Sequence, residues 1–355
     1  MGSIPARPVR CVDHSRPKLR FVAAFLSIGT VIGSARAQLT PDRTYYGVGR
    51  AVPMTVNLPA DAGPTEPAEV LLLAASTAQV RARSKVAAGS TDLAAMFPAL
   101  WDTTVPHQAR DVQYAQLVIG DRRIGPAVVL VPLVEPDTCV FIETQTQEPQ
   151  YRPARPFTFS GLRAYVEQHV VMETSLGDIE FRMRPDQAPN TVWNFMKLVR
   201  GGFYTDINFH RIVALNESNR KPFVIQGGDP IFGHATKGVG EGGPGYQINL
   251  EKSALPHDFG VISMARGAKL PNSGGSQFFI GLSREGTSHL DGQFAAFGQA
   301  VSGAEVIRNI AAVPVDQDGR PRDPVVIRRC RLLDAPPYDR GPAPVVAPNP
   351  APLGR

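Results

Sequence analysis

The sequence predicts a mainly β protein in two parts: a small β-sandwich-like domain, then a β-barrel with helices over its ends. Three observations predict it. Glycine and proline number 33 each in 355 residues, a turn-rich composition that suits many short strands. From about Arg43 to Thr146, short apolar runs recur between turn residues, as strands do. Beyond Val170, two stretches of helical spacing bracket a long run of short strands and glycines, which argues against an alternating parallel sheet. A chain of this length suggests two domains, and 43% hydrophobic with 19% charged residues is ordinary for a folded chain.

Residues 1–37 read as a cleaved signal peptide. Arg7, Arg10, Arg16, Lys18 and Arg20 precede the apolar run Phe21 to Ile32, and Ala35-Arg36-Ala37 forms a small-x-small site before Gln38. The run is too short to cross a bilayer, which takes about 20 residues. No integral membrane segment is expected after the leader is removed, and the expected location is periplasmic or secreted. The leader carries the whole formal charge of +5, so the remainder is neutral. That removes the electrostatic footprint of a nucleic-acid binder. Cys139 and Cys330 remain, either as one disulfide or as two buried core thiols.

Residues 38–146 form the expected β-sandwich-like domain. Met54 to Leu58, Glu69 to Leu73 and Ala78 to Arg83 read as strands. Val112, Tyr114, Gln116 and Val118 alternate, and Gly120-Asp121 turns the chain into the apolar run Ala127 to Val131. Asp92 to Trp101 has helical spacing, interrupted by Pro98. No catalytic cluster lies here, so the domain reads as a binding or spacer module. Residues 147–168 read as a linker, polar and proline-rich, ending in a short amphipathic piece from Ser160 to Glu167.

Residues 169–334 give clearer signals. Val170 to Met172 and Asp178 to Arg184 flank the turn Leu176-Gly177 as a hairpin. Val192, Phe195, Met196 and Val199 form one helical stripe. Asp186 and Asn190 are candidates to cap its start, and Gly201-Gly202 to end it. Ser302-Gly303-Ala304-Glu305 matches a capping box and opens a second helix, with Val306, Ile307 and Ile310 inward. Residues 335–355, rich in proline and alanine, read as a disordered tail.

Chemistry is first sorted by what is missing. The histidines show no HExxH spacing, there is no CxxC, and no G-x-S-x-G elbow. The glycines at 238, 240, 242 and 243 are followed by Pro244-Gly245 rather than a helix, which argues against a phosphate cradle. No metal and no cofactor are expected.

Six motifs remain: Phe209-His210-Arg211-Ile212, Phe223-Val224-Ile225-Gln226-Gly227-Gly228-Asp229, Gly242-Gly243-Pro244-Gly245-Tyr246, Ser263-Met264-Ala265, Asn272 to Ile280, and Leu290-Asp291-Gly292. In this order they resemble the cyclophilins. The resemblance implies a cyclophilin-like eight-stranded barrel with two capping helices and peptidyl-prolyl cis-trans isomerase activity on proline-containing polypeptides. Rotation about X–Pro faces a barrier of about 18–20 kcal/mol from amide resonance, and a fixed guanidinium aimed at the pyramidal nitrogen lowers it without any covalent intermediate.

By resemblance, Arg211 is that donor. Gln226 hydrogen-bonds the substrate backbone and helps hold Arg211. Phe223, Phe279 and Leu290 wall a pocket for the proline ring, with Val224 beside it. Ala265 and the backbone near Arg266 grip the residues before proline, and His210 braces the site by hydrogen bonding. Two positions depart from the family. His289 stands where the family often has a tryptophan that helps bind cyclosporin, and Phe294 keeps an aromatic wall without its polar tip. The stretches Ile212 to Pro222 and Ile231 to Lys237 are longer than the family's usual turns. The expectation is an isomerase of exported proteins, monomeric by default; the alternative is a weakly active or inactive proline-peptide-binding module. In either case the N-terminal domain is a candidate for recruiting a partner.

Overall fold

The structure, a computed structural model, describes residues 38–61, 67–106, 110–135, 137–146, 148–152, 158–215, 218, 220–231 and 239–348. The expected leader and nearly all of the second loop expansion lie outside the described residues.

The first part is built from β1 (Gln38–Pro41), β2 (Tyr45–Gly47), β3 (Pro53–Asn57), β4 (Ala68–Ala74), β5 (Val80–Lys85), β6 (Gly89–Asp92), α1 (Leu93–Met96), a 3-10 turn (Pro98–Trp101), β7 (Gln113–Ile119), β8 (Arg122–Leu133), β9 (Thr138–Ile142), β10 (Pro149–Arg152) and β11 (Gly161–Val166). Two sheets form, ordered β1-β3-β6 and β2-β11-β8-β7-β4-β5, with β9 and β10 as a separate pair. Leu39, Met54, Val56, Leu72, Leu117, Leu130 and Leu162 pack together in this part's own core, as in a sandwich. Pro98 ends α1 after one turn, and Asp92 caps it by accepting from the Ala94 amide.

The stretch expected as a linker is structured where it is described. β10 pairs with β9, and β11 lies between β2 and β8 in the larger sheet. The amphipathic piece is a strand because both its faces are covered. Leu162 and Ala164 join the sandwich core, while Tyr165 joins the barrel's core. Gly161, at φ +147°, is required where β11 meets β2: a β-carbon there would run into the Tyr46 carbonyl.

The second part comprises β12 (Gln168–Thr174), β13 (Gly177–Met183), α2 (Pro189–Arg200), β14 (Ile207–Leu215), β15 (Pro222–Gly227), β16 (Val261–Met264), β17 (Phe278–Gly281), α3 (Arg284–Thr287), β18 (Ala296–Ser302), α4 (Ala304–Ala311) and β19 (Val326–Asp334). Eight strands close a barrel in the order β12-β13-β18-β16-β17-β15-β14-β19, as expected. Its core includes Phe181, Phe209, Phe278, Ile280 and Phe297. The stripe Val192, Phe195, Met196 and Val199 seals it from α2, and Ile307 and Ile310 from α4.

Both helix starts differ from expectation. Neither Asp186 nor Asn190 caps α2; its N-cap is Ala188, and Asp186 instead binds Arg184 and Gln187. The cap comes from Glu251, sixty residues on. Its carboxylate accepts from the Asn190 amides at 3.1 Å and from the Thr191 N–H and hydroxyl at 2.7 Å. Burial pushes the Glu251 pKa up, and these donors pull it back. The capping box at α4 does not form: Ser302 is committed to the β18 ladder opposite Glu180, and Gly303 at φ 86° is the N-cap.

The two parts pack together as one unit. Tyr114, Val129, Val131 and Tyr165 share a core cluster with the barrel's Phe181 and Met183. Tyr165 lies 5.1 Å from the Trp193 ring of α2, and Arg163 donates to the Pro189 carbonyl at 3.0 Å. The tail expected to be disordered is docked as far as it is described. Tyr338 is buried against Tyr114 at 4.5 Å, its N–H donates to Gln116 at 2.8 Å, and the Val345 N–H donates to Ala300 at 2.9 Å. Cys139 and Cys330 are both free and buried. Among the described residues no helix is long and apolar enough to cross a membrane.

Candidate active site

A spacing anomaly builds the site. Phe209 and Ile212 both point into the barrel core, yet they are three apart on one strand, where inward residues recur every two. The β14–β15 register resolves this. Phe209 faces Gly227 and Arg211 faces Gln226, so His210 is the extra residue of a β-bulge. Bulges re-aim side chains, and this one leaves Arg211 exposed on the outer face. Paired residues share a face. The outer face therefore carries Arg211 and Val213 from β14, Val224 and Gln226 from β15, and Phe279 from β17, opposite Gln226.

The apolar members of that face form one cluster, where the resemblance puts the proline pocket. Val224, Phe279 and Leu290 are buried together, with Val213, Phe223, Ala265 and Phe294 packed around them. Phe279 meets Phe294 edge-on at 5.4 Å, and Phe223 stacks on His289 at 5.6 Å. Arg266 lies 4.3 Å over the Phe294 ring, its guanidinium donating to the Gln293, Gly267 and Ala268 carbonyls. The sequence assigned the backbone near Arg266 to substrate; the structure adds a role for its side chain in fixing a pocket wall.

Behind Phe279 lies a network the sequence reading missed. The His257 ring stacks on Phe279 at 5.8 Å. Asp291 accepts from the His257 N–H at 2.8 Å and from its Nδ1 at 3.0 Å, and from Arg284 at 2.6 Å. Burial lowers the His257 pKa despite the pull of Asp291, so the ring is neutral. Burial alone would raise the Asp291 pKa, but the donors from Arg284 and His257 outweigh it and leave the carboxyl below its usual range. A lone histidine carries no sequence signal for this placement; the motif Leu290-Asp291-Gly292 was the only hint.

Beside the pocket runs a groove of about 900 Å³, lined by Gln226, the glycine-rich stretch from Gly240, Ala265, Arg266 and Gln277. Gln277 donates to the Gly240 and Gly242 carbonyls at 2.9 and 2.8 Å, and Asp229 accepts from the Ile231 and Gly240 amides. Two expected roles change here. The Gln226 amide donates to Gln277 at 3.2 Å rather than holding Arg211. Neither ring nitrogen of His210 has a partner among the described residues, so His210 does not brace the site by hydrogen bonding. Burial lowers its pKa, leaving it neutral beside Arg211. Part of the first loop expansion is strand: Val213 and Leu215 pair with Val224 and Pro222, lengthening the hairpin that carries Arg211.

A closed eight-stranded barrel with two sealing helices and this outer-face pocket is the architecture of a cyclophilin-type isomerase. Comparison with known proteins agrees. The family described as cyclophilin type peptidyl-prolyl cis-trans isomerase/CLD matches residues 169–332. The chain is 36% identical over 170 residues to peptidyl-prolyl cis-trans isomerase CYP18-2 of Arabidopsis thaliana, covering 46% of this chain and 93% of that protein. It is 42% identical over 135 residues to peptidyl-prolyl cis-trans isomerase B of Bacillus subtilis, covering 38% and 82%. Among solved structures it is similar to a Cryptosporidium parvum cyclophilin crystallised in the presence of the dipeptide Ala-Pro, at 32% identity and a TM-score of 0.41 over 47% of this chain and 99% of that one. The chain belongs to the cyclophilin-type peptidyl-prolyl cis-trans isomerases, and it is an enzyme of that class.

Proposed function

We propose that this enzyme isomerises X–Pro bonds in exported polypeptides, with Arg211 as the donor that stabilises the twisted amide. One observation carries the reading: Arg211 stands opposite Gln226 on the outer face, on the strands that also bring Val213, Val224 and Phe279 to the pocket. The proline ring seats among Phe223, Val224, Phe279, Leu290 and Phe294. The preceding residues run over Ala265 into the groove, where the Gln226 carboxamide faces their backbone. Arg211 has no ion pair or side-chain hydrogen bond among the described residues, which leaves its guanidinium free to meet the amide nitrogen as it pyramidalises. Neutral His210 adds no second positive charge there. His289, stacked on Phe223, extends the pocket's rim.

The test is the isomerisation rate of a short Xaa-Pro peptide with wild type and Arg211→Ala side by side. Removing one preorganised donor costs roughly 10²–10³ in rate. A variant as fast as wild type excludes Arg211 as the donor. Export rests on the leader pattern, and slow prolyl isomerisation limits the folding of newly exported chains. N-terminal sequencing of the exported protein checks it: a mature chain starting far from Gln38 contradicts the assignment. The sandwich, packed firmly on the barrel, is read as a recruiting module. A pull-down with the full mature chain that recovers only barrel-dependent partners would remove that role.

A further inference from the structure

Next to the isomerisation site lies a second, polar cavity of about 320 Å³, walled by His210, Arg211, Arg266, Asp318 and Arg320. Three guanidiniums face it against one carboxylate. Arg320 is brought there by a tight loop: Asp316 accepts from the Asp318 and Arg320 amides at 2.9 Å, and its own N–H donates to the Arg320 carbonyl at 2.9 Å. That loop is tied to β14, because the Ile212 N–H donates to the Gly319 carbonyl at 2.7 Å. Arg266 is held by three carbonyls, Gln293 at Nε and Gly267 and Ala268 at Nη1, so it supplies a fixed positive wall. Arg211 and Arg320 have no ion pair or side-chain hydrogen bond among the described residues, and both charges bear on the His210 ring against the opposing Asp229 carboxylate; the ring's nitrogens have no partner among the described residues. The wall thus holds unpaired donors converging on one space, the setting a carboxylate fits.

Gln226, Gly240 and Arg266 line both this cavity and the groove, so a peptide lying in the groove delivers its side chains to it. We propose that the cavity is a subsite for an acidic side chain, an Asp or Glu within two residues of the isomerised proline, with Arg320 as the specificity-determining residue. The inference rests on the placement of the substrate at Arg211 given above.

The experiment measures kcat/KM for peptides that differ only in carrying Glu, Gln or Lys at one of the two positions before or the two positions after proline, with the mature protein. Wild type is expected to favour Glu over Gln by about fivefold at one of these positions and to disfavour Lys. The preference should flatten near 1 M salt, where the screening length is about 3 Å. Arg320→Gln brings the Glu:Gln ratio to about one, and Arg320→Glu reverses it towards Lys. The ratio is insensitive to any general loss of activity, and the loop's own hydrogen bonds use only the Arg320 backbone. Equal Glu and Gln rates in wild type, or an unchanged ratio in Arg320→Glu, overturn the subsite. A Gln-peptide rate that is the same in wild type and Arg211→Ala is a separate result: it overturns the placement of the substrate itself, and the subsite with it.

Discussion

Replacing Asp291 by alanine removes the acceptor that holds the back wall of the proline pocket. His257 is 1% exposed, and its N–H donates to Asp291 at 2.8 Å. Leaving a buried donor unpaired costs about 1–3 kcal/mol. The ring's Nδ1 also loses its partner, but a neutral imidazole relieves that by moving its proton. The Arg284–Asp291 pair is 42% and 35% exposed, so it adds at most about 1 kcal/mol. Together the loss is about 2–4 kcal/mol, read as a lower urea midpoint at unchanged slope. Asparagine keeps an oxygen for both His257 donors; it forfeits the charge and the Arg284 bond, whose place its NH2 takes, and that pair is exposed, so Asp291→Asn should lose about 1 kcal/mol or less. The catalytic consequence follows from the stack of His257 on Phe279. With that ring loosened, the wall that seats proline in ground and transition state alike is less well placed. The loss, roughly tenfold in kcat/KM, should therefore fall mainly on KM. An Asp291→Ala protein within about 0.5 kcal/mol of wild type, or an asparagine variant as damaged as the alanine one, refutes the argument.

Two further outcomes test how the parts are joined. Burial between β11 and β12 raises the Glu167 pKa from 4.5 to about 7. Below pH 4.5 native and unfolded chains both hold this proton; between 4.5 and 7 only the unfolded chain releases it, so its contribution to stability declines by about 3 kcal/mol as pH rises through that window. Glu167→Gln should flatten this part of the pH–stability curve and be the more stable protein above pH 7; parallel curves for the two in urea titrations exclude the effect. Tyr338→Ala removes a ring stacked on Tyr114 and should cost about 3 kcal/mol, whereas Tyr338→Phe loses only a 3.3 Å hydroxyl bond to Ala75 and should cost about 1 kcal/mol or less. Thermal melts separate the two, and equal melting points would mean that the C-terminal segment does not clamp the sandwich to the barrel.

What could be read from the sequence was local. The α2 stripe, the β12–β13 hairpin, the Pro98 break and the strands of the sandwich all announce themselves by period and turn residues, and the structure has them. What could not be read depends on partners far along the chain. Ser160 to Glu167 looks like a loose amphipathic piece because its second face is buried only once the barrel packs on it. Asn190 looks like a cap until Glu251 arrives from sixty residues away. The tail is poor in apolar residues, yet Tyr338 docks it, because Tyr114 and Gln116 offer a ring and an acceptor in one place, and Val345 bonds Ala300 further on. At the site, the run Phe278-Phe279-Ile280 cannot say which phenylalanine faces the core; the barrel sends Phe278 inward and Phe279 to the pocket. The motif resemblance assigned Phe279 to the pocket, and it gave Gln226 and His210 bonds that the structure assigns elsewhere or not at all.

The position of the site on the barrel's outside follows from the same packing. Phe195 meets Phe278 and Phe297 at 5.8 and 5.1 Å, and Phe209 meets Phe278 at 6.2 Å, so side chains fill the interior. Any chemistry must use outward residues of adjacent strands. Period-two alternation would send Arg211 inward with Phe209. The bulge at His210 reverses that and sets a guanidinium beside residues that already form an apolar seat. Rotation about X–Pro needs no nucleophile and no proton relay, only a proline held by its ring and a donor that does not move when the amide twists. In the mechanism proposed above, a packed barrel supplies the rigidity, and one extra residue in β14 supplies the aim.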